Sequence, residues 1–262
     1  MNRLHPLASA AALLTLAFLY GPMLAVAVFS VNASRYGLVW RGFSWDWYRK
    51  LLHDEYILQA AGNTLVLALF STLAATLLGT ALAIGMDRFP WSRRWGSLFE
   101  TILYLPVVTP DIILAAALVV AFGLLRAVSS VFEPGLLTMI IGHITFQVAF
   151  VALVVRGRLV SLEKNIEEAA RDLYAGTPYL LRRVMLPLLA PGIVAGSMLA
   201  FTLSLDDFVI SFFTSAPTST TLPLFIYAST RRGIMPEIHA LSTLVFFATV
   251  ILVVGVERLT RR

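Results

Sequence analysis

Long apolar runs alternate with short polar stretches along the whole chain. The runs predict helices at about 7–30, 60–86, 97–125, 135–155, 187–213 and 238–256. Each is close to or above the roughly 20 apolar residues that a bilayer core requires of a helix. The expected fold is therefore all-α, a polytopic membrane protein with six transmembrane helices in one domain over 1–262. The first run lies between Arg3 and Arg35 and holds no charged residue. It is longer than the apolar core of about 7–15 residues in a cleaved signal peptide, so it reads as a retained span. Pro22 lies inside it.

The polar stretches are as informative as the apolar ones. In the 31–60 loop, Ser44 is placed to cap a short helix from Trp45 to about Leu52. Trp40, Phe43, Trp45, Trp47 and Tyr48 cluster there. They suit an interfacial aromatic belt, or a surface whose π faces accept a cation, with Trp47 as the candidate pathway residue. His143 and Gln147 are four residues apart in the fourth span and share a helix face. Interhelical hydrogen bonding is their expected role.

The longest polar stretch covers 156–186. Asn165 and Glu168 have capping-box spacing, which predicts a helix starting near Ile166. Glu167 and Glu168 sit in its first turn, where the helix dipole favours negative charge. Ala169 and Ala170 let another surface approach. Gly176 should end this helix, and Thr177-Pro178 should start another, with Thr as N-cap and Pro at the first helical position. Such a helix-turn-helix is either a solvated loop or a docking element for a soluble partner.

Composition sharpens the class. Hydrophobic residues make up 58% and charged residues 13%, against about 25% charged in soluble domains; mean hydropathy is +0.82. There is no Cys, so disulfides and thiolate metal sites are excluded, and no metal site is expected. No P-loop pattern occurs, so the chain supplies no nucleotide site of that kind. The formal net charge of +5 reads as loop Lys and Arg rather than as nucleic-acid binding. Sorted by loop, the termini, the 87–97 turn and the 156–183 loop hold 13 Lys and Arg and the opposite side holds 7, which accounts for all 20. The positive-inside rule places both termini and the 156–186 loop in the cytoplasm. Asp111, Asp206 and Asp207 lie in otherwise apolar segments. Ionisable groups at such positions usually line a functional route. No nucleophile sits beside a His in a recognisable motif, so an enzyme is not expected.

The stretch Glu168-Ala169-Ala170, Tyr174, Val184, Leu186-Pro187 resembles the EAA loop of ABC-importer permeases, with Tyr174 in place of the family Gly and Val184 in place of Ile. Pro110-Asp111-Ile112, His143-Ile-Thr-Phe146, the segment from Ala200 through Asp206-Asp207 to Ile210, Thr221-Leu-Pro-Leu224 and Pro236-Glu-Ile-His-Ala-Leu241 are similar to the permeases of spermidine/putrescine importers. The resemblance implies the type I ABC importer permease fold in a bacterial inner membrane. It also implies import of a polyamine delivered by a periplasmic binding protein. The implied partners are a second homologous permease and two cytoplasmic ATP-binding subunits, which would hold ATP and Mg while this chain holds no cofactor. Glu168, Ala169, Ala170, Leu173, Gly176, Leu186 and Pro187 would form the coupling element. A permease for another cationic solute, an ion-coupled secondary transporter and a non-transporting membrane scaffold are the alternatives.

Overall fold

The computed structural model describes residues 6–34, 39–163, 165–231 and 236–260. Arg3, Arg35, Lys164, Arg232, Arg261 and Arg262, all counted in the charge sorting, lie outside the described residues. The described residues form helices and no strand, with one isolated antiparallel bridge between Asn32 and Phe43. In chain order the helices are α1 (Pro6–Phe29), α2 (Asp46–Leu51), α3 (Glu55–Arg88), α4 (Arg93–Val108), α5 (Asp111–Leu125) and α6 (Leu136–Val160). Then come α7 (Asn165–Asp172), α8 (Thr177–Tyr179), α9 (Leu186–Asp206), α10 (Val209–Thr214), α11 (Leu222–Thr230) and α12 (Pro236–Thr260). A π-helical turn, Leu180–Met185, makes α8 and α9 one continuous rod. Pro187 has no N–H to give to the carbonyl four residues back, and its ring crowds that carbonyl; the wider turn before it is the local accommodation.

The helices fall into two compact units, residues 1–58 with 225–262 and residues 59–224. In the first, α12 packs on α1 and α2. Lys50 pairs with Glu237, joining the end of α2 to the first turn of α12. Asn32 organises the loop that follows α1. Its Nδ2 donates to Val39 O at 3.0 Å, and its Oδ1 accepts from the backbone of Ser34 and Arg41 at 3.2 and 3.0 Å. Ser44 Oγ accepts the Asp46 N–H at 3.0 Å, but the helix expected from Trp45 starts one residue later, so Trp45 and not Ser44 is the N-cap of α2, without a side-chain cap bond.

In the second unit the core lies where α3, α4 and α9 close on α6. Ala75 and Ala83 of α3, Leu103 of α4, Val151, Val155 and Leu159 of α6, and Leu189 and Ala200 of α9 are buried together. Helices in lipid gain no hydrophobic drive from meeting each other, so close backbone approach through small residues supplies the attraction. A Cβ on Gly79 would lie 2.8 Å from Val151 Cβ and 2.9 Å from Val148 O. A Cβ on Gly192 would lie 2.7 Å from Arg158 Cβ. A second cluster joins Ala115, Leu118 and Phe122 of α5, Phe146 of α6 and Ile210 of α10.

Four described helical rods are long and apolar enough to cross a bilayer: Ala8–Phe29, Glu55–Arg88, Leu136–Val160 and Thr177–Asp206. Pro236–Ile251 is a shorter apolar helix in the place of the sixth expected span. Two expected spans are not single helices. The run at 97–125 divides into α4 and α5, bent by 110°. The cause is Pro110, which cannot donate and forces the preceding Thr109 out of the helical region, to φ −73° and ψ 131°. The run at 187–213 divides at Asp207, whose backbone is extended at φ −61° and ψ 125°.

The close approach at Gly79 gives a direct expectation. Gly79→Ala should lower the stability of the detergent-solubilised protein by about 1–3 kcal/mol, the usual cost of overpacking. Gly62→Ala, on the same helix with nothing within 4 Å of its Cβ, should be neutral or gain about 0.5–1 kcal/mol from helix propensity. Reversible unfolding followed by circular dichroism distinguishes the two.

Candidate functional site

The break between α9 and α10 is held by a buried polar cluster. His143 is 0% exposed in the middle of α6. Its Nδ1 lies 2.8 Å from Ser204 Oγ on α9, and its Nε2 lies 3.1 Å from Ser211 Oγ on α10. The same Nε2 is 3.2 Å from Asp207 Oδ2. A hydrogen on Nε2 faces Asp207 and Ser211, which leaves Nδ1 to accept from the Ser204 hydroxyl. Ser204 Oγ also meets Ser71 Oγ of α3 at 3.2 Å. The Asp207 carboxylate accepts the backbone N–H of Ile210 at 3.3 Å and of Ser211 at 2.8 Å. It thus closes the first turn of α10, whose donors would otherwise be orphaned. One turn along α6, Gln147 Nε2 donates to Ala200 O at 3.1 Å. His143 and Gln147 therefore make the interhelical bonds expected of them.

The two adjacent acids differ in surroundings. The Asp207 side chain is only 10% exposed and is turned to His143 and Ser211. Asp206 is exposed and has no cationic partner among the described residues. Asp111 is also exposed; it opens α5 immediately after Pro110, at the other break. So the carboxylates expected along a route all stand at helix breaks. No hydrogen bond or ion pair joins Asp111 to Asp206 or Asp207 among the described residues. Trp47 belongs to the first unit. It is half-buried on α2 and its indole N–H donates to Asn32 O at 2.8 Å, while Trp40, Phe43 and Trp45 remain exposed.

The 156–186 stretch contains the expected pair of short helices, each displaced by one residue. α7 begins at Asn165 rather than Ile166. Gly176, not Thr177, is the N-cap of α8, with φ −66° and ψ 157°. Gly176 does not end α7. That helix ends at Tyr174, which has φ 61°, the left-handed region. Tyr174 N–H donates to Arg171 O at 2.9 Å and Ala175 N–H to Ala170 O at 3.0 Å. These are the two bonds of a Schellman C-cap, in which the left-handed residue is most often Gly. Tyr174 occupies the glycine position and is 97% exposed beside Leu173 at 83%. Glu168 and Ala169 are exposed, whereas Ala170 packs on the helix core. Leu186 and Pro187 open α9 and are exposed.

Two contacts had no clear sequence signal. Arg88, the last residue of α3, lies with Nε 2.7 Å and Nη2 2.6 Å from Glu167 Oε1, and also pairs with Asp87. Ser71, Ser204 and Ser211 are isolated small polar residues in apolar runs, and only their convergence on His143 gives them meaning.

Apolar helices long enough to cross a bilayer, one bent pair of helices and a short polar helix pair define a multi-pass α-helical architecture, and comparison with known proteins names the class. Residues 75–261 match the family of binding-protein-dependent transport system inner membrane components, and the chain belongs to that family. It is therefore a multi-pass inner-membrane component of a transport system. It is 41% identical over 237 residues to the putrescine transport system permease protein PotI of Escherichia coli strain K12, covering 90% of this chain and 84% of that one. It is 36% identical over 245 residues to the spermidine/putrescine transport system permease protein PotC of the same strain, covering 94% and 90%. Among solved structures, a bacterial ABC transporter involved in import of the acidic polysaccharide alginate matches with a TM-score of 0.77 at 19% identity, over 97% of this chain and 93% of that one. That likeness establishes the ABC-permease fold and nothing about the solute.

Two outcomes test this geometry. Removing His143 takes a hydrogen bond from a mostly buried carboxylate, which typically costs about 1.5–3 kcal/mol, and leaves a cavity where the ring packed. His143→Ala should therefore lose most folded protein, and His143→Ala with Asp207→Asn should recover part of it, read as monodisperse yield after solubilisation. Tyr174→Gly should stabilise the 165–175 turn by about 1 kcal/mol, because Gly adopts the left-handed region without the Cβ penalty. Hydrogen exchange of the α7 amides should slow accordingly.

Proposed function

We propose that the chain is one of two related permease subunits of an ATP-driven importer whose solute is a polyamine, putrescine or spermidine, handed over by a periplasmic binding protein. The observation that carries this reading is an exposed carboxylate, without an ion-pair partner among the described residues, at each of the two broken spans, in a chain with 41% identity to a putrescine permease. No Lys or Arg lies inside the expected spans. An Asp at the middle of a span costs about 2.5–3.5 kcal/mol on insertion scales. Amine groups on a flexible chain would offset that cost while in transit. Asp111 and Asp206 are the residues assigned to receive them. Asp207 is assigned to hold the route open through His143, and Trp47 to the outer entrance, where aromatic faces favour cations.

ATP and Mg belong to two cytoplasmic ATP-binding subunits in this reading, and hydrolysis is theirs. The docking element is the 165–187 stretch, with Glu168, Ala169 and Leu173 on the accessible side, Ala170 against the spans, Gly176 between the helices, and Leu186-Pro187 leading into the membrane. The contacts within each unit support this orientation. Arg88 brings the 87–97 turn to α7, and both belong to the side richer in Lys and Arg. Asn63, near the start of α3, donates to Thr218 O at 3.2 Å and Thr220 O at 3.0 Å, on the opposite side. Both termini are assigned to the cytoplasm by the count of Lys and Arg alone.

The test is uptake into proteoliposomes holding the permease pair, the ATPase subunits and the binding protein. Labelled putrescine should accumulate only with ATP. Asp111→Asn, nearly isosteric but neutral, should lose most of that uptake while membrane abundance and co-purification with the ATPase stay unchanged, and Asp111→Glu should retain more than Asn. ATP-driven accumulation of a different cation, with putrescine excluded, would overturn the solute assignment; wild-type uptake by Asp111→Asn at every putrescine concentration would remove this residue from the route.

A further inference from the structure

One rod makes polar contacts at its start, middle and end. α3 is continuous from Glu55 to Arg88. Near its start, Asn63 binds the 218–220 backbone, and Thr64 Oγ1 accepts the N–H of Leu222 at 2.8 Å. Midway, Ser71 reaches Ser204 and through it His143 and Asp207. Two turns further, Gly79 is wedged against Val151. At its end Arg88 grips Glu167. An α-helix rises 1.5 Å per residue, so Ser71 and Arg88 are about 25 Å apart along an element without proline.

The Arg88–Glu167 pair is unlike a surface ion pair. The side chains are 16% and 18% exposed, and two guanidinium nitrogens meet one carboxylate oxygen within 2.7 Å. Asp87 engages Nη1, which fixes the remaining edge of the guanidinium. Glu167 faces inward on α7, whereas its neighbour Glu168 is exposed. The helix therefore presents one acid to the spans and one to the solvent. The other link from this loop to the spans is apolar packing, through Ala170, Leu181 and Val184. Apolar packing lets helices slide; a mostly buried ion pair with a charge-assisted hydrogen bond from Nε to Glu167 fixes distance and direction.

We propose that Arg88–Glu167 is the linkage by which displacement of α7 moves α3, and that α3 passes this movement to the Ser71–Ser204–His143–Asp207 cluster at the break of the fifth span. This rests on the transport reading above. It makes Arg88 and Glu167 positioning residues: neither touches solute or nucleotide, and each acts through α3.

The experiment uses the assembled transporter and the ratio of solute imported to ATP hydrolysed. Arg88→Gln, which lies outside the docking stretch, should bind the ATPase subunits and hydrolyse ATP at the basal rate, yet lower the transport ratio about tenfold, equivalent to about 1.4 kcal/mol of lost coupling, and Glu167→Gln should lower the ratio as far. The double variant removes both charges of a paired unit and should be no worse than either single change, which is the mark of a shared interaction. A wild-type ratio in Glu167→Gln overturns the linkage. So does a loss of uptake that merely follows loss of assembly in the single variants, since the pair would then be structural only. Additive losses in the double variant overturn it as well. A wild-type assembly that shows no ATP-driven uptake at all overturns the transport reading, and the linkage with it.

Discussion

A helix that breaks inside a bilayer exposes backbone donors and acceptors where no water can take them. The structure meets this constraint at Asp207, and much of the second unit is arranged around the solution. The carboxylate closes the first turn of α10, and that carboxylate is in turn held by His143. His143 can do this only because α6 runs through the centre of the unit, with α9 and α3 drawn close by Gly196, Gly192 and Gly79. Ser204 then satisfies the second ring nitrogen, and Ser71, bonded to Ser204, ties in α3. Removing any small residue from this set would move the helices apart and break bonds that lie several residues away.

The apolar pattern was a sound guide to where helices lie, because burial in lipid selects composition over whole spans. Its limits are physical. A run such as 97–125 is as apolar as an unbroken span, so hydropathy alone does not separate one helix from two. The break comes from a single Pro–Asp step acting through sterics on Thr109. The break at Asp207 is less visible still, since no Pro or Gly marks it; it exists because His143, more than sixty residues earlier, holds the carboxylate. A partner at that sequence distance leaves no local trace.

The polar loop shows the same division. Two short helices were legible from caps and charge, but each boundary moved by one residue. The turn between them could not be read from Gly176, because Gly176 has an ordinary extended backbone. The left-handed residue is Tyr174, which sequence comparison with the EAA pattern marks only as a departure. The geometry resolves that departure: the position keeps the backbone conformation a glycine would take, and Tyr holds it at a cost of about 1–2 kcal/mol. An exposed aromatic ring with no ring contact among the described residues does not offset that cost within this chain.

Adjacent acids can take opposite parts because successive helical residues point about 100° apart. At the end of α9 the chain puts Asp206 outward and Asp207 inward, and the break prevents the next turn from covering either. Asp207 is the acid the fold consumes: its lone pairs go to an imidazole and two backbone amides. Asp206 retains its own, with nothing cationic beside it among the described residues. Asp111 is in the same position at the other break. The apolar runs expected to span contain no Lys or Arg to neutralise these two groups. Under the proposed function the deficit of positive charge is thus not a defect in folding but the property that selects the solute. A flexible diamine can engage carboxylates on two different broken spans in succession. A single compact cation would neutralise one and leave the other bare.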